Sequence, residues 1–229
     1  MSILEKIISV IAPPVCVGCE MEGSALCNSC QKQHQLPYIE RCFWCSAVSG
    51  SCRTCLKCRD KSQVYAGYAA TNYDSDIKEL VKIYKFGHQR AAARPLAQLV
   101  DHNSRQFLAS LPEHVLVVPV PSASSRVRAR GFEHTALLSK ELCRRTDHAY
   151  SPLLKRRGQT RQVGSKRSDR LKQLGDNFYL VGSGNLRTRH DVLLIDDVST
   201  TGATLNEAAK VFKKAGARRV YALVISKIS

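Results

Sequence analysis

The sequence predicts an α/β protein: a parallel sheet with helices on both faces, preceded by a small cysteine-rich domain. Short, continuous apolar runs alternate with stretches of helical periodicity, the pattern of strands covered on both faces. Nine of the ten cysteines fall between Cys16 and Cys58. With 229 residues, the chain has room for one α/β domain of about 150 residues and a smaller unit. We expect two domains, over residues 1–62 and 63–229.

The cysteine-rich region predicts two structural zinc sites. A Cys-x-x-Cys turn lets two thiolates converge on one ion, and two such turns complete a tetrahedral shell. A segment of this size buries too little apolar surface to fold securely alone, whereas a structural zinc site contributes on the order of 10 kcal/mol to folding. The pairs are Cys16-x-x-Cys19, Cys27-x-x-Cys30, Cys42-x-x-Cys45 and the overlapping series Cys52-x-x-Cys55-x-x-Cys58.

Three alternatives for these cysteines are a disulfide framework, a redox dithiol and an iron–sulfur cluster. The odd number of cysteines in this region, nine, and the lack of a signal peptide argue against disulfides. Regular pairs suit closed structural sites better than a redox dithiol or an iron–sulfur cluster. The apolar segment 3–15 contains Glu5 and Lys6 and ends in two prolines, so it is too short to span a bilayer. We expect an amphipathic helix there and a cytoplasmic protein without membrane insertion.

The elements of the main domain follow from the same patterns. Predicted strands cover residues 64–70, 115–120, 177–181, 192–196 and 219–226, and predicted helices cover residues 75–86, 91–108, 132–145 and 202–215. Strands that alternate with helices of this length form parallel sheets.

The segment from Val192 to Leu205 predicts a phosphate-binding loop at the carboxyl edge of that sheet. An apolar strand leads into two adjacent carboxylates, and a loop of hydroxyl residues then leads into a helix, whose N-terminal N–H groups and dipole favour an anion. The carboxylates would repel that anion, so we expect them to bind neighbouring sugar hydroxyls, directly or through hydrated Mg²⁺. A ribose 5-phosphate fits both features; a helix cap followed by a plain turn is the alternative. The candidate residues are Asp196, Asp197, Val198, Ser199, Thr200, Thr201, Gly202, Ala203 and Thr204.

A second apolar run, Val115 to Val118, ends at two prolines and leads into a loop with arginine at alternate positions. Arginine offers paired donors to phosphate oxygens. Right-handed crossovers bring this loop and the Asp-Asp loop to the same edge of the sheet. We therefore expect one pocket with two phosphate subsites, the second formed by Arg126, Arg128 and Arg130.

The charge balance predicts a polyanionic partner. Lys and Arg number 35 against 19 Asp and Glu, a formal charge of +16, and such an excess favours nucleic acid. Between Lys155 and Lys172, eight basic residues accompany the single acidic Asp169. A solvated loop without a partner is the alternative. The candidate DNA-binding residues are Lys155, Arg156, Arg157, Arg161, Lys166, Arg167, Arg170 and Lys172.

The segment Ile195 to Leu205 resembles the motif by which type I phosphoribosyltransferases bind 5-phosphoribosyl 1-pyrophosphate (PRPP). With the Pro119-Val120-Pro121 strand end, the Arg128-Ala129-Arg130-Gly131-Phe132 segment and the cysteine pairs, the chain is similar to the ComF family from about Cys16 to Ile225. The resemblance implies a type I phosphoribosyltransferase-like sheet behind a double zinc ribbon, with PRPP and Mg²⁺ as ligands. It also implies the zinc ligands Cys16, Cys19, Cys27, Cys30, Cys42, Cys45, Cys55 and Cys58, although Cys52 stays open as a substitute and so does the number of ions, one or two.

Two functions follow from the resemblance. ComF proteins are associated with the uptake of single-stranded DNA in natural transformation, which implies single-stranded DNA as a ligand and a DNA-uptake helicase or processing proteins as partners. The alternative is an active phosphoribosyltransferase that displaces pyrophosphate from PRPP with a base or amine, with Asp196 and Asp197 at the catalytic centre. The sequence indicates neither an acceptor nor a general base.

Overall fold

The computed structural model describes residues 13–86, 89–157, 177–182 and 190–228. Its strands are β1 (Ala66–Thr71), β2 (Leu116–Pro119), β3 (Ala149–Tyr150), β4 (Leu154–Arg156), β5 (Phe178–Leu180), β6 (Val192–Ser199) and β7 (Val220–Lys227). Its helices are α1 (Asn28–Gln33), α2 (Leu56–Arg59), α3 (Ser75–Phe86), α4 (Ala93–Ala109), α5 (Ser124–Arg130), α6 (His134–Cys143) and α7 (Ala203–Lys214), with single 3-10 turns at Gly50–Cys52 and Arg90–Ala92.

Five of the strands form one parallel sheet in the order β1-β7-β6-β2-β3. Alternate residues of each strand point to opposite faces, so the core has two layers. On one face Leu193, Leu223 and their neighbours pack against α3, α4 and α6. On the other face Leu194, Ala222 and their neighbours pack against α7. The predicted parallel sheet with helices on both faces is confirmed.

The cysteine-rich segment covers the edge of the sheet at β1. Arg53 forms an antiparallel bridge with Ala66, and the ring of Phe43 lies so close to Gly67 that a β-carbon there would be 2.9 Å from Cγ. On the opposite face, Asn103 of α4 donates to the carbonyls of His34 and Ala70 at 2.8 and 2.9 Å. An uncovered edge strand would expose a row of unpaired backbone groups, and this segment pairs with the start of that edge at Ala66.

Three elements differ from the sequence prediction. The predicted strand 177–181 is β5, which pairs antiparallel with β4 outside the main sheet; its alternation of buried Phe178 with exposed Tyr179 is typical of a ribbon covered on one face. β6 extends to Ser199 because β7 continues beside it, so Asp196 and Asp197 lie within the strand. The arginine segment, predicted as a loop, forms α5, which ends at Gly131 in the left-handed conformation, φ +74°.

Two predictions remain untested by the fold. The predicted N-terminal amphipathic helix lies mostly outside the described residues, and the domain boundary at residues 62 and 63 stays a prediction. Among the residues that the structure describes, no helix combines the length and the apolar character needed to cross a membrane.

Candidate anion-binding pocket and metal centres

The candidate site is a pocket of about 420 Å³ at the carboxyl ends of β2 and β6. Helices α3, α5 and α6 and the first turn of α7 contribute to its walls. Six cationic side chains face two carboxylates, so the lining as a whole favours an anionic ligand. The charged and imidazole residues of the lining are Lys78, Lys82, Lys85, Arg126, Arg130, Arg156, Asp196, Asp197 and His134.

The two predicted carboxylates have different surroundings. Asp197 is buried, and its Oδ2 accepts hydrogen bonds from Lys85 Nζ at 2.8 Å and from His134 Nε2. Burial favours the neutral acid, but the hydrogen bond from His134 and the charge of Lys85 outweigh it and hold the pKa of Asp197 well below its ordinary value. Burial and then the charge of Asp197 raise the pKa of Asp196 above its ordinary value. Asp196 is the partly exposed carboxylate of the pair, and it has no ion pair among the described residues.

His134 joins the arginine segment to the carboxylates. Arg130 Nη1 lies 2.8 Å from His134 Nδ1, and because a guanidinium only donates hydrogen bonds, Nδ1 accepts and Nε2 carries the proton donated to Asp197. His134 is 3 % exposed and its carbonyl accepts from Tyr84 at 2.6 Å. The ring therefore holds Asp197 in a fixed orientation. The sequence analysis missed His134, because only the tertiary structure brings it to β6.

The predicted phosphate loop lies between β6 and α7. Gly202, with φ +74°, is the N-cap of the twelve-residue α7. Thr200, Thr201, Ala203 and Thr204 are exposed, and Val198 and Thr204 line the pocket. Ser199 is buried at the end of β6, and its hydroxyl has no hydrogen-bond partner among the described residues. The loop thus presents hydroxyl groups and a free helix N-terminus beside the carboxylates, the arrangement that binds phosphate groups.

The three predicted arginines separate around α5. Side chains four positions apart share one face of a helix, whereas side chains two positions apart do not. Arg126 and Arg130 accordingly line the pocket, and Arg128 is exposed and absent from its lining. Arg130 is buried at 6 % exposure, with its guanidinium 5.3 Å from the centre of the Phe86 ring.

Helix α3 supplies three lysines that the sequence analysis did not single out. Lys78, Lys82 and Lys85 all line the pocket. Their spacing of four and then three residues places them on one helical face, so the sequence did contain the pattern. It became meaningful only once the structure showed that this face meets the carboxyl edge of β6.

The structure describes three of the predicted DNA-binding residues. Lys155 and Arg157 are exposed, and Arg157 lies 6.0 Å from the centre of the Tyr179 ring. Arg156 instead lines the pocket and lies over Phe178. The other five lie outside the described residues: Arg161, Lys166, Arg167, Arg170 and Lys172.

The predicted zinc ligands form two groups of four. Cys16, Cys19, Cys27 and Cys30 make one group and Cys42, Cys45, Cys55 and Cys58 the other, with all four sulfurs of each group within 4.8 Å of one another. Backbone N–H groups of Cys27 and Cys55 donate to the sulfurs of Cys16 and Cys42 at 3.3 and 3.4 Å. Although burial opposes the charge, these donors lower the pKa of both thiols. Four convergent sulfurs, one of them in each group held by a backbone N–H donor, fit a structural zinc ion.

Cys52 lies outside both groups. It is buried at 1 % exposure, and its sulfur lies 3.5 Å from the hydroxyl of Tyr38. Burial raises the pKa of its thiol, and because its sulfur belongs to neither group of four, Cys52 is a packed thiol.

A second basic cavity, of about 350 Å³, lies at the opposite edge of the sheet, between the second cysteine group and the start of β7. Arg218 there is paired with Asp191, and the guanidinium of Arg219 lies 4.5 Å from the centre of the Tyr65 ring. Arg53 and Arg59 are exposed at its margin.

The chain is similar to curated proteins over most of its length. It is 32% identical over 219 residues to competence protein F of Haemophilus influenzae, a match that covers 90% of this chain and 93% of that protein. The chain belongs to the competence protein F family. Within that family it is 27% identical to ComFC of Streptococcus pneumoniae over 202 residues, 87% of this chain and 86% of that one. It is 28% identical to ComFC of Bacillus subtilis over 199 residues, 83% of this chain and 79% of that one.

The resemblance inferred from the sequence motifs is therefore confirmed at the level of the competence protein F family. No protein-family model matches the chain. Among solved structures, the chain is similar to the allosteric regulatory enzyme of purine biosynthesis, with a TM-score of 0.40 and 18% identity over 60% of this chain and 26% of that one.

Proposed function

We propose that this competence protein F family member binds PRPP with Mg²⁺ in the pocket at the carboxyl ends of β2 and β6. The observation that carries the proposal is that Asp196 and Asp197 share one pocket with two groups of anion-binding elements. The first group is the N-terminus of α7, which contributes Thr204, and the second is Arg126, Arg130 and the α3 lysines. A ribose held by the carboxylates would place its 5-phosphate at the first group and its pyrophosphate at the second.

The size and charge of the pocket also support this ligand. A volume of about 420 Å³ is within the range of small-ligand sites. Mg²⁺ prefers oxygen ligands and keeps several waters, and Asp196 is the carboxylate suited to it because Lys85 and His134 already occupy Asp197. When bound, Mg²⁺ would neutralise part of the pyrophosphate charge.

Calorimetry tests the proposal. We expect PRPP with Mg²⁺ to bind the wild type, and the double variant Asp196→Asn with Asp197→Asn to lose measurable binding, because the ribose partners are removed. Asp60→Asn, at an exposed carboxylate of the cysteine-rich segment, is the matched control and should bind as the wild type does. A folded double variant with unchanged affinity would refute the proposed site.

We further propose that the protein binds single-stranded DNA and acts in DNA uptake in the cytoplasm, with uptake helicases or processing proteins as partners. The names of the related proteins place them in competence, and the formal charge of +16 favours a polyanion. Lys155 and Arg157 supply exposed cations at the start of the basic segment. Base-independent binding of this kind needs only backbone phosphates.

An active phosphoribosyltransferase is the second candidate, favoured by two aromatic side chains. Tyr73 and Phe86 line the pocket, and Phe86 is 65 % exposed, so a planar acceptor would find a stacking surface beside the carboxylates. In the reaction, the bond from the anomeric carbon to pyrophosphate breaks, a bond to the acceptor nitrogen forms, and the acceptor loses its proton to solvent. Pyrophosphate release that depends on a defined base or amine would establish this activity. If no acceptor in a broad set causes pyrophosphate release, the protein binds PRPP without turning it over.

A further inference from the structure

The only tryptophan of the chain connects the second cysteine group to the phosphate loop. Trp44 lies between Cys42 and Cys45, and its ring packs directly on Gly202. A β-carbon built on Gly202 would lie 2.1 Å from Cζ3 and 2.7 Å from Cη2 of that ring, far inside van der Waals contact. Glycine is needed here both for this approach and for its φ of +74°, and the loop therefore rests on the indole.

Trp44 is itself held in place from several directions. Its Nε1 donates to Thr54 Oγ1 at 3.3 Å, and that hydroxyl donates to the carbonyl of Val64 at 2.6 Å. Its carbonyl accepts from Lys227 Nζ at 3.2 Å, at the end of β7. Phe43 packs edge-on against the indole, with ring centres 5.5 Å apart. The ring position is thus fixed by both halves of the second cysteine group and by the sheet.

The segment that follows the second cysteine group also binds α7, the helix after the loop. The side chain of Asn206, in the first turn of α7, accepts from the backbone N–H of Gln63 at 2.8 Å and donates to the carbonyl of Lys61 at 2.9 Å. Lys61 and Gln63 follow the last cysteine of the second group, Cys58, within five residues. Trp44 and the turn after Cys58 therefore hold the loop and its helix at two points.

We propose that Trp44 is a positioning residue of the phosphate loop, so that metal binding by Cys42, Cys45, Cys55 and Cys58 is thermodynamically linked to phosphate binding. The inference rests on the proposed function and extends it to a control of affinity. A loop already fixed in its binding conformation does not lose conformational entropy when the ligand arrives. Linkage is reciprocal, so a bound phosphate raises the affinity of this group for its metal by the same factor.

The first cysteine group provides an internal comparison. Its described contacts lie on the α4 side of the sheet, for example Gln31 Nε2 to Gln98 Oε1 at 3.4 Å. Cys19 and Cys45 are equivalent members of the two groups: each is the second cysteine of its first pair, and each is exposed. Loss of either disturbs one group, but only Cys45 lies on the turn that carries Trp44.

Titrations with ribose 5-phosphate and with PRPP and Mg²⁺, followed by tryptophan emission and by calorimetry, test the linkage. We expect saturation with either ligand to change the emission of Trp44. Cys45→Ser should lower the affinity for both ligands by about fivefold or more, the lower range of measured couplings. Cys19→Ser should change the affinities by less than about twofold, within the variation of independent sites. Equal weakening by the two variants would overturn the inference.

Substitution of Trp44 removes the contact while leaving every cysteine in place. We expect Trp44→Ala to weaken ligand binding by about fivefold or more, with unchanged zinc content, and Trp44→Phe to restore most of the affinity because an aromatic ring again supports Gly202. Wild-type affinity in a folded Trp44→Ala protein would overturn the linkage and leave the proposed function intact. A wild type that binds neither ligand would overturn both.

Discussion

The two neighbouring aspartates of this pocket have different roles. Asp197 is buried and shared between Lys85 and His134, so its charge is compensated within the protein and its carboxylate is fixed. Asp196 lies beside that charge without an ion pair among the described residues, and the pKa of its carboxyl is raised by burial and by Asp197. Asp196 is therefore the group whose protonation a ligand can change.

Binding of PRPP with Mg²⁺ should depend on pH through Asp196. Because the ligand binds the ionised carboxylate more tightly than the neutral acid and the pKa of Asp196 is raised, the affinity should be constant at high pH. It should fall by about tenfold per unit as the pH drops below that pKa, since one proton must be released. Calorimetry across the pH range measures this dependence.

Asp196→Asn is the control for that measurement. The phosphate groups of the ligand titrate near pH 6 in both proteins, so only the difference between the two pH profiles reports on Asp196. Identical profiles for the wild type and the variant would show that Asp196 stays ionised throughout.

The sequence was sufficient for some residues of the site and insufficient for others. Asp196, Asp197 and Gly202 stand in one continuous segment, so a single local pattern identified them. His134 and Lys85 reach Asp197 from different helices, and no local pattern marks a histidine at the start of a helix as the partner of a distant carboxylate.

At the scale of one element, α5 makes a testable distinction between two exposed arginines. We expect Arg126→Ala to weaken PRPP binding by about tenfold or more, the cost of a charge-assisted hydrogen bond of about 1.5 kcal/mol, because Arg126 lines the pocket. Arg128→Ala should bind as the wild type does, because helical geometry turns Arg128 away. Equal losses in calorimetry would mean that α5 unwinds when the ligand binds.

The cysteine groups predict a metal content. Two groups of four sulfurs should hold two zinc ions per chain, as measured by elemental analysis of the purified protein. Cys52→Ala should keep both ions, since Cys52 lies outside the groups, whereas Cys55→Ser should lose one. A single ion in the wild type would show that one of the groups does not bind zinc.

The elements differ in how far the sequence determined them. β6 was predictable because Val192 to Ile195 is a continuous apolar run, and α7 because its apolar spacing is regular. The arginine-rich α5 has no apolar stripe of its own, and its helical form depends on the Gly131 end and on contacts of Arg130 with His134. β5 has the composition of a strand, but composition does not specify the strand with which it pairs.

At the scale of the whole molecule, the positive charge is divided between surfaces. The candidate pocket at β2 and β6 holds one part, the exposed side chains of Lys155 and Arg157 a second, and the cavity near Arg53 and Arg59 a third. If the protein contacts about five phosphates of single-stranded DNA, the logarithm of the affinity should fall against the logarithm of the salt concentration with a slope of about −3.5. Fluorescence anisotropy with a labelled oligonucleotide measures this slope.

A pair of exposed charge reversals locates the DNA. Lys155→Glu with Arg157→Glu should flatten the slope by about 1.4, at 0.7 per lost phosphate contact, without touching Arg156 in the pocket. Arg53→Glu with Arg59→Glu reverses the same charge at the opposite edge and should leave the slope unchanged. If only the Arg53 and Arg59 variant flattens the slope, the DNA binds at the second cavity. A wild type without salt-dependent binding would contradict the DNA proposal.

The strand order has a consequence for how the protein is made. β7 lies between β1 and β6, although the ribosome produces it after every other strand of the sheet. Until Val220 to Lys227 emerge, β1 has no partner strand in the sheet, and β6, β2 and β3 can form only a three-stranded sheet with an unpaired edge, the kind of intermediate that aggregates. The cysteine-rich segment is already available by then, so its bridge from Arg53 to Ala66 can protect one side of β1 during synthesis. A chain that stops before Val220 would lack the strand that joins both halves of the sheet.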